Sequence, residues 1–376
     1  MPRTSLASIL PDFPWDTLTS VRAKAAKHPD GVIDLTVGSP IDPVDPGIQL
    51  ALSEAATLSG YPQTVGTPAL REAIAAAMER RHGVPGITAS VKDSQLLPVI
   101  GTKEAIAWLP TVLGLRGETI IIPEVAYPTY EVSALLAGCT PVRNDDPAAP
   151  GEPAALVYLN SPSNPTGRVR TASQLRAWVE YSRETGAIIA SDECYLGLGW
   201  DDEMKPISIL HPDVCGGDFT NLLAIHSLSK TSNLASYRAG FLAGDTALIT
   251  ELTEVRKHSG LMVPGPIQHA MTAALNDDTH EDLQRAVYGK RRAVLMRALI
   301  EAGFTIDHSE AGLYLWVSRT DDGKAFSADE LIDWFAERGI LAAPGHFYGP
   351  SSNDHARLSM TATDENIAAA AARLAK

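Results

Sequence analysis

The sequence predicts an α/β protein in which helices cover a mostly parallel sheet, and two features of the chain support this prediction. Short apolar runs without polar alternation have the length of strands that are covered on both faces. They lie at 96–100, 119–122, 155–159, 187–190 and 222–225. Segments with helical periodicity precede and separate these runs, at 70–82, 104–113, 130–137 and 171–184. This alternation is typical of βαβ units, which build parallel sheets.

The pattern changes after Asp277, and the change predicts a second, smaller α+β domain. A long helix is expected at 282–302, an apolar run at 312–317 and a further helix at 328–338. A chain of 376 residues is also long enough to split into two cores. We therefore predict a large domain over 46–277 and a small C-terminal domain over 278–376. Residues 1–45 are expected to form an N-terminal arm and part of the small domain.

Composition limits the classes of partner. Lys and Arg number 31 and Asp and Glu number 45, which gives a net charge of −14 without any long acidic block. Such a surface argues against nucleic acids and anionic membranes and favours small metabolites as ligands. The longest uncharged stretch, 258–276, contains glycine, proline, glutamine and histidine, so we predict no transmembrane segment.

The cysteines and the N-terminus predict a cytoplasmic protein. Cys139, Cys194 and Cys215 are too few and too scattered for a disulfide framework or a CxxC metal site. The first residues lack the basic-then-apolar order of a signal peptide, and Pro11 and Pro14 would interrupt an apolar segment.

Polar residues follow four of the predicted strands, at the edge where open α/β sheets build their sites. The sequence contains no GxGxxG, GxxxxGK[ST], HExxH or GxSxG pattern, which removes the main support for dinucleotide, P-loop, zincin and serine-hydrolase sites. The four segments are GTK at 101–103, NSPSNPTG at 160–167, SDECY at 191–195 and SLSK at 227–230, the last followed by Arg238.

The first two segments allow both a functional and a purely structural interpretation. In Gly101-Thr102-Lys103, the free N–H groups of a helix start and the Thr102 hydroxyl would form an anion cradle. An ordinary strand-to-helix turn explains the same residues. Asn164 lies at the end of a strand, but a turn rich in proline and asparagine has the same composition.

The other two segments are harder to explain by structure alone. Asp192 ends a buried strand, so it needs a cationic partner, which could be a protonated heterocycle nitrogen or an arginine. Lys230 lies among hydroxyl groups and could form a Schiff base if its site depresses its pKa. With a phosphate held by Thr102, Ser227 and Arg238, the set describes a site for pyridoxal 5′-phosphate (PLP).

The chain resembles the class I and II aminotransferases of fold type I over essentially its whole length. The motifs GTKEA, AYPTY, NSPSNPTG, SDECY and SLSKTSNLASYRAG occur in the order and spacing of that family. The resemblance implies ping-pong transfer of an amino group between amino acids and keto acids. It also implies a homodimer whose active sites are shared across the interface.

The resemblance also implies roles for individual residues. The catalytic residues would be Lys230, which bonds to the cofactor and moves the proton, Asp192, which pairs with the pyridine nitrogen, and Tyr195, a ring-oxygen donor. Further cofactor-binding residues would be Gly101, Thr102, Lys103 through its backbone, Tyr127 stacked on the ring, Asn164, Ser227, Ser229, Arg238, and Tyr61 reaching into the neighbouring subunit. Substrate would contact Gly38, Asn164, Arg357 through its α-carboxylate, and Trp15 of the arm.

Within the family, FPWDT, SGYPQTVGTP and EAGLYLW are similar to the actinobacterial succinyldiaminopimelate aminotransferases of lysine biosynthesis. This implies glutamate as the amino donor and N-succinyl-2-amino-6-oxopimelate as the acceptor. Arg256 or Lys257 could meet a distal carboxylate, or both could be charges on a helix surface.

Three alternative functions stay open. The first is an aminotransferase for aromatic amino acids, alanine, methionine or LL-diaminopimelate. The second is a PLP-dependent C–S lyase, which would use the same cofactor residues and release pyruvate from a β-thio amino acid. The third is a PLP-sensing regulator, which would need a basic DNA-binding module that the short N-terminal segment has no room for.

Overall fold

The computed structural model describes residues 5–149, 151 and 153–375. In chain order the α-helices are α1 (Thr19–Ala25), α2 (Pro46–Glu54), α3 (Pro68–His82), α4 (Thr102–Val112), α5 (Thr129–Ala137), α6 (Ala172–Thr185), α7 (Pro212–Cys215), α8 (Thr246–Ser259), α9 (Gly265–Asn276), α10 (Thr279–Glu301), α11 (Ala328–Glu337) and α12 (Asp364–Leu374). The strands are β1 (Ile33–Asp34), β2 (Leu96–Ile100), β3 (Thr119–Ile122), β4 (Thr140–Arg143), β5 (Leu156–Asn160), β6 (Ile188–Asp192), β7 (Leu222–Ser227), β8 (Ala239–Gly244), β9 (Phe304–Asp307), β10 (Tyr314–Asp321), β11 (Lys324–Ala325), β12 (Ile340–Leu341), β13 (Ala343–Pro344) and β14 (Ala356–Ser359).

A seven-stranded sheet with the order β2-β8-β7-β6-β5-β3-β4 forms the centre of the large domain. Strand β8 is antiparallel to both of its neighbours, and the other pairings are parallel. Helices cover both faces, so β5 and β8 are buried along their whole length. This confirms the mostly parallel, doubly covered sheet that the sequence predicts.

The sequence patterns missed two strands of this sheet, each for a local reason. Strand β4 lies at the sheet edge, alternates between exposed and half-buried residues, and contains Pro141. Strand β8 reads AGFLAG, and two glycines with two alanines weaken the strand signal.

The register of the parallel strands aligns the ends that carry the polar segments. Asn160 of β5 lies opposite Asp192 of β6, and Asp192 lies opposite Ile225 of β7. The loops after these strands therefore begin at the same level of the sheet. Helix α4 begins at Thr102, directly after β2, so its N-terminus faces the same edge.

A second sheet lies in the C-terminal part of the chain, with the order β11-β10-β14-β13 and β9 beside β10. Its strands are antiparallel, and Arg357 of β14 lies opposite Trp316 of β10. Strand β1 pairs in parallel with β12, so the segment around Ile33 packs with the C-terminal residues. This pairing agrees with the N-terminal contribution expected for residues 1–45, although the exact domain boundaries stay a prediction.

Helix ends follow their local signals. Thr171 caps α6 in a capping box with Gln174. Helix α3 ends at His82 and is followed by Gly83, whose φ of +64° lies in the left-handed region that glycine favours. Among the residues that the structure describes, no helix has both the length and the apolar character needed to cross a membrane.

Candidate active site

A cavity of about 450 Å³ opens at the carboxyl ends of β2, β5, β6 and β7. Strand β14 and the N-terminal segment complete its walls. Most of the residues that the sequence predicts for the site line it: Trp15, Gly38, Thr102, Lys103, Tyr127, Asn164, Asp192, Tyr195, Ser227, Ser229, Lys230, Arg238 and Arg357. The two exceptions are Gly101, which contacts the guanidinium of Arg238 but does not line the cavity, and Tyr61, which lies outside the cavity.

One end of the cavity is built to hold an anion. The N-terminus of α4 presents its free N–H groups at Thr102 and Lys103, and a helix N-terminus attracts phosphate. The guanidinium of Arg238 packs so closely against Gly101 that a Cβ on Gly101 would lie 2.3 Å from Nη2 of Arg238. Ser227 adds a hydroxyl, which accepts a hydrogen bond from the Ser229 N–H at 3.1 Å. In the described part of the chain, neither Lys103 nor Arg238 forms an ion pair with a carboxylate.

Asp192 is a buried carboxylate without a cationic partner among the described residues. Its Oδ2 accepts a hydrogen bond from the Tyr130 hydroxyl at 2.7 Å, and its Oδ1 accepts one from the Cys194 N–H at 3.2 Å. Only 5% of the residue is exposed, and burial raises the pKa of its carboxyl group. A cation bound beside Asp192 would offset the cost of burying this charge.

Lys230 projects into the same cavity. Its Nζ donates a hydrogen bond to the Gly38 carbonyl oxygen. Burial lowers the pKa of its amine, which favours the neutral, nucleophilic form. Gly38 has no space for a side chain, because a Cβ there would lie 2.2 Å from the Tyr314 hydroxyl.

Arg357 is a buried cation without an anionic partner in the described residues. Its Nη1 donates to Oδ1 of Asn164 at 2.7 Å, and its Nη2 donates to the Thr36 carbonyl at 2.5 Å. The guanidinium lies over the ring of Tyr314, 3.9 Å from the centroid, and its Nε has no hydrogen-bond partner. An unpaired, buried guanidinium is suited to binding a carboxylate through its planar fork.

Two tyrosines meet between Lys230 and Arg357. The hydroxyls of Tyr195 and Tyr314 lie 3.3 Å apart. Burial raises the pKa of Tyr195 well above its usual range, whereas the Arg357 and Lys230 cations outweigh burial and lower the pKa of Tyr314. Tyr195 is therefore the less acidic member of the pair.

Aromatic residues form the outer wall of the cavity. Trp15 packs near Phe13 and Phe347, with ring centroids 5.4 and 5.9 Å away. The Nζ of Lys103 lies 5.4 Å from the ring centroid of Phe13 and 6.0 Å from that of Tyr127. These contacts connect the N-terminal segment to the anion-binding end of the cavity.

Three residues considered from the sequence lie elsewhere. Tyr61 is 99% exposed in the single chain, so its role toward a neighbouring subunit stays a prediction. Arg256 is buried and forms a two-bond ion pair with Glu104, at 2.9 and 3.0 Å. Lys257 is exposed and lies 3.4 Å from Glu254. Neither Arg256 nor Lys257 lines the cavity.

Sequence reasoning missed several cavity residues. Tyr130 and Tyr314 belong to the motifs AYPTY and EAGLYLW, but a motif does not show which of its residues faces a cavity. Arg22 of α1 also lines the cavity and pairs with Asp34 at 2.8 Å. It has no local signal that separates it from other surface arginines.

The family model for aminotransferase class I and II matches residues 30–374. The chain belongs to this family. A probable aminotransferase of Mycobacterium tuberculosis is 55% identical over 99% of this chain and 87% of its own length. The 4-dedimethylamino-4-oxo-anhydrotetracycline transaminase OxyQ of Streptomyces rimosus is 50% identical over 97% of this chain and 99% of its own.

More distant relatives agree with this assignment. An LL-diaminopimelate aminotransferase of Dehalococcoides mccartyi is 30% identical, over 97% of this chain and 96% of its own. An aminotransferase structure from Staphylococcus aureus superposes with a TM-score of 0.86 at 26% identity, covering 99% of this chain and 98% of that one. The fold is therefore that of the PLP-dependent transferases of fold type I, as the sequence predicts.

Class I and II aminotransferases depend on PLP, and the cavity fits this cofactor. The anion-binding end matches a phosphate, and the unpaired carboxylate of Asp192 matches a protonated ring nitrogen. The amine of Lys230, in the same cavity, is the kind of group with which the cofactor aldehyde reacts. The chain is thus a PLP-dependent aminotransferase that acts on amino-acid and keto-acid substrates.

Proposed function

We propose that Lys230, Asp192 and Arg357 carry out the amino transfer in this cavity. The observation that supports this proposal is their arrangement around one space: a buried carboxylate lacks a cation, a buried guanidinium lacks an anion, and a buried amine of lowered pKa lies in the same cavity. Each group has the charge that complements one part of PLP or of an amino acid.

The proposed reaction divides between the cofactor and the protein. When bound, PLP supplies the aldehyde that exchanges for an amino group and the ring that accepts electron density from the substrate Cα. Asp192 would hold a proton at the ring nitrogen. Lys230 would take the proton from the substrate Cα as a general base and would then deliver it, as a general acid, at the cofactor aldehyde carbon.

Other side chains fix the two bound molecules. We assign Thr102, Ser227, Ser229 and Arg238, with the N–H of Lys103 and the close packing that Gly101 permits, to the phosphate. Tyr127 would stack on the ring, and Asn164 and Tyr195 would donate hydrogen bonds to the ring oxygen. Arg357 would orient the substrate through its α-carboxylate, beside Gly38, with Trp15 covering the pocket.

For the substrates, we propose glutamate as donor and N-succinyl-2-amino-6-oxopimelate as acceptor, in lysine biosynthesis. The reacting ketone of this acceptor is adjacent to a carboxylate, which Arg357 could bind as it binds the α-carboxylate of glutamate. The acceptor carries further carboxylates, and Lys103 is a cavity cation without an acidic partner in the described residues. The resemblance of FPWDT, SGYPQTVGTP and EAGLYLW to this enzyme group supports the same assignment.

A tetracycline-derived ketone is the second candidate acceptor. It is favoured by the 50% identity to a transaminase named for such a compound, over 99% of that relative's length. The aromatic side chains of Phe13 and Trp15 at the cavity wall would suit a fused ring system. A third candidate substrate is LL-diaminopimelate, for which a relative at 30% identity is named. It would act as an amino donor, because it carries amino groups and no ketone.

A direct comparison of amino acceptors tests the substrate proposal. With glutamate as the donor, kcat/KM is measured for N-succinyl-2-amino-6-oxopimelate, pyruvate, phenylpyruvate, the keto acid of methionine and the tetracycline-derived ketone. The proposal predicts that the succinylated acceptor is preferred by at least a hundredfold. A higher kcat/KM for another acceptor would contradict the proposed pathway but leave the aminotransferase chemistry intact.

We further propose a cytoplasmic homodimer in which Tyr61 contacts the phosphate of the neighbouring subunit. The almost complete exposure of Tyr61 in the single chain and the three free, buried cysteines are consistent with these assignments. Mixing inactive Tyr61→Ala and Lys230→Ala subunits tests the shared site, because hybrid dimers would contain one intact site. Recovery of activity on mixing is expected, and no recovery in a verified hybrid would contradict a shared site.

A further inference from the structure

Tyr130 makes a direct contact with the carboxylate on which the proposed mechanism depends. Its hydroxyl donates a hydrogen bond of 2.7 Å to Oδ2 of Asp192, and neither residue is more than 5% exposed. Hydrogen bonds to an ionised carboxylate favour the ionised form, and they are stronger in a buried, low-dielectric site than in water.

The surroundings hold the Tyr130 hydroxyl in this position. Its ring stacks on Tyr158 with centroids 5.0 Å apart and an interplanar angle of 21°. Tyr158 is fixed in turn, because its hydroxyl donates to the Ile106 carbonyl at 2.9 Å and contacts Ser133 at 3.2 Å. Both tyrosines are buried, and this packing holds the Tyr130 ring against Asp192.

The other donor near Asp192 is Cys194. Its N–H bonds to Oδ1 at the longer distance of 3.2 Å, and its thiol, which also lowers the pKa of Asp192, lies 3.2 Å from the Thr102 hydroxyl. Glu193 accepts from the Ile209 N–H at 2.7 Å and lies 3.2 Å from His226, and its negative charge disfavours ionisation of Asp192. The hydroxyl of Tyr195 is directed to Tyr314.

We propose that Tyr130 is a positioning residue that keeps Asp192 ionised and thereby keeps the proton on the ring nitrogen of the bound cofactor. This inference rests on the role proposed for Asp192. A carboxylate with two oxygens can accept the Tyr130 hydroxyl, the Cys194 N–H and the ring N–H together. Without the hydroxyl, the carboxylate becomes more basic, and the proton moves from the ring nitrogen to Asp192. The pair then becomes neutral, and the ring accepts electrons less well.

The test is the ¹⁵N chemical shift of the ring nitrogen in enzyme loaded with ¹⁵N-labelled PLP, because this shift reports whether that nitrogen is protonated. Tyr130→Phe is expected to move the signal from the protonated position toward that of Asp192→Asn, and to lower kcat/KM for glutamate at least tenfold. Tyr158→Phe is the matched control, because it removes a buried tyrosine hydroxyl that does not touch Asp192 and keeps the ring that stacks on Tyr130. It should leave the signal unchanged.

Two further measurements separate the possible failures. In an Asp192→Asn background, Tyr130→Phe should cause no additional change in the signal, since the hydroxyl acts through the carboxylate. A fluorinated tyrosine at position 130, which is a stronger donor of the same shape, should keep the nitrogen protonated even if the phenylalanine variant folds poorly. If Asp192→Asn itself leaves the signal unchanged, the proposed role of Asp192 is wrong and this inference falls with it. If Asp192→Asn moves the signal but Tyr130→Phe does not, the role of Tyr130 alone is overturned.

Discussion

Replacing Arg357 with glutamine would remove a buried cation whose charge nothing in the described chain neutralises. A guanidinium has five N–H donors, and two of those of Arg357 already bond to Asn164 and to the Thr36 carbonyl. The remaining donors, among them the unpartnered Nε, are available for a substrate carboxylate. The substitution should therefore lower kcat/KM for every substrate whose α-carboxylate binds to Arg357.

The expected magnitude follows from the bonds that would be lost. Two charge-assisted hydrogen bonds contribute about 1.5–3 kcal/mol each, or about 3–6 kcal/mol together. At about 1.4 kcal/mol per tenfold change in rate, kcat/KM should fall by about 10² to 10⁴. Since glutamate and alanine share the α-carboxylate, kcat/KM should fall by the same factor for both donors.

The assay is the amino-transfer rate of purified, PLP-loaded protein over a range of donor concentrations. PLP affinity and melting temperature serve as controls, and we expect both to change little. Arg357→Lys keeps the charge but loses the planar fork, so its loss should be intermediate. A kcat/KM for Arg357→Gln within threefold of the wild-type value would refute the assignment of this residue to the substrate carboxylate.

The remaining predictions concern cofactor chemistry and the cavity wall. Lys230→Ala should lose multiple turnover, measured as keto-acid product per subunit, while it keeps its melting temperature; sustained turnover would refute the proton-transfer role. Asp192→Asn should still bind PLP by equilibrium dialysis but lose most of its activity, and near-wild-type rates would exclude the ring-nitrogen pairing. Gly38→Ala places a methyl group 2.2 Å from the Tyr314 hydroxyl, so we expect kcat/KM to fall at least tenfold. An unchanged kcat/KM would show that the loop around Gly38 moves to make room for the methyl group. Burial lowers the pKa of Lys230, so its amine becomes neutral at a lower pH than the amine of an ordinary lysine. The rate of PLP binding to the apo-protein should therefore rise with pH and level off below the pH at which ordinary lysines lose their proton. A rate that keeps rising up to that pH would contradict the lowered pKa.

The sequence was most informative where a local signal and a fold rule agree. Asp192 and Asn164 follow buried strands, and parallel strands bring their carboxyl ends to one edge of the sheet, so their proximity could be predicted without coordinates. The same rule applies to Thr102 and Lys230. Arg357 is different, because it lies in the other sheet, and only the family resemblance indicated that it reaches this cavity.

Other features depend on packing that the sequence patterns do not encode. The glycines and alanines of β8 have low strand propensity, so its own residues do not predict a strand. In the structure, β8 pairs with β2 on one side and with β7 on the other. The contact between Tyr130 and Asp192 joins residues 62 positions apart. The ion pair of Arg256 with Glu104 likewise shows that an arginine on a helix can be buried by a distant element.

An absorption titration of the PLP-loaded protein tests most directly whether this cavity carries out both halves of an amino transfer. Glutamate alone should convert the absorption band of the bound cofactor to that of its aminated form and release one 2-oxoglutarate per active site. Addition of N-succinyl-2-amino-6-oxopimelate should restore the original band with the same stoichiometry. If glutamate leaves the spectrum unchanged, or if the band is lost and no keto acid restores it, the proposed ping-pong transfer from glutamate is contradicted.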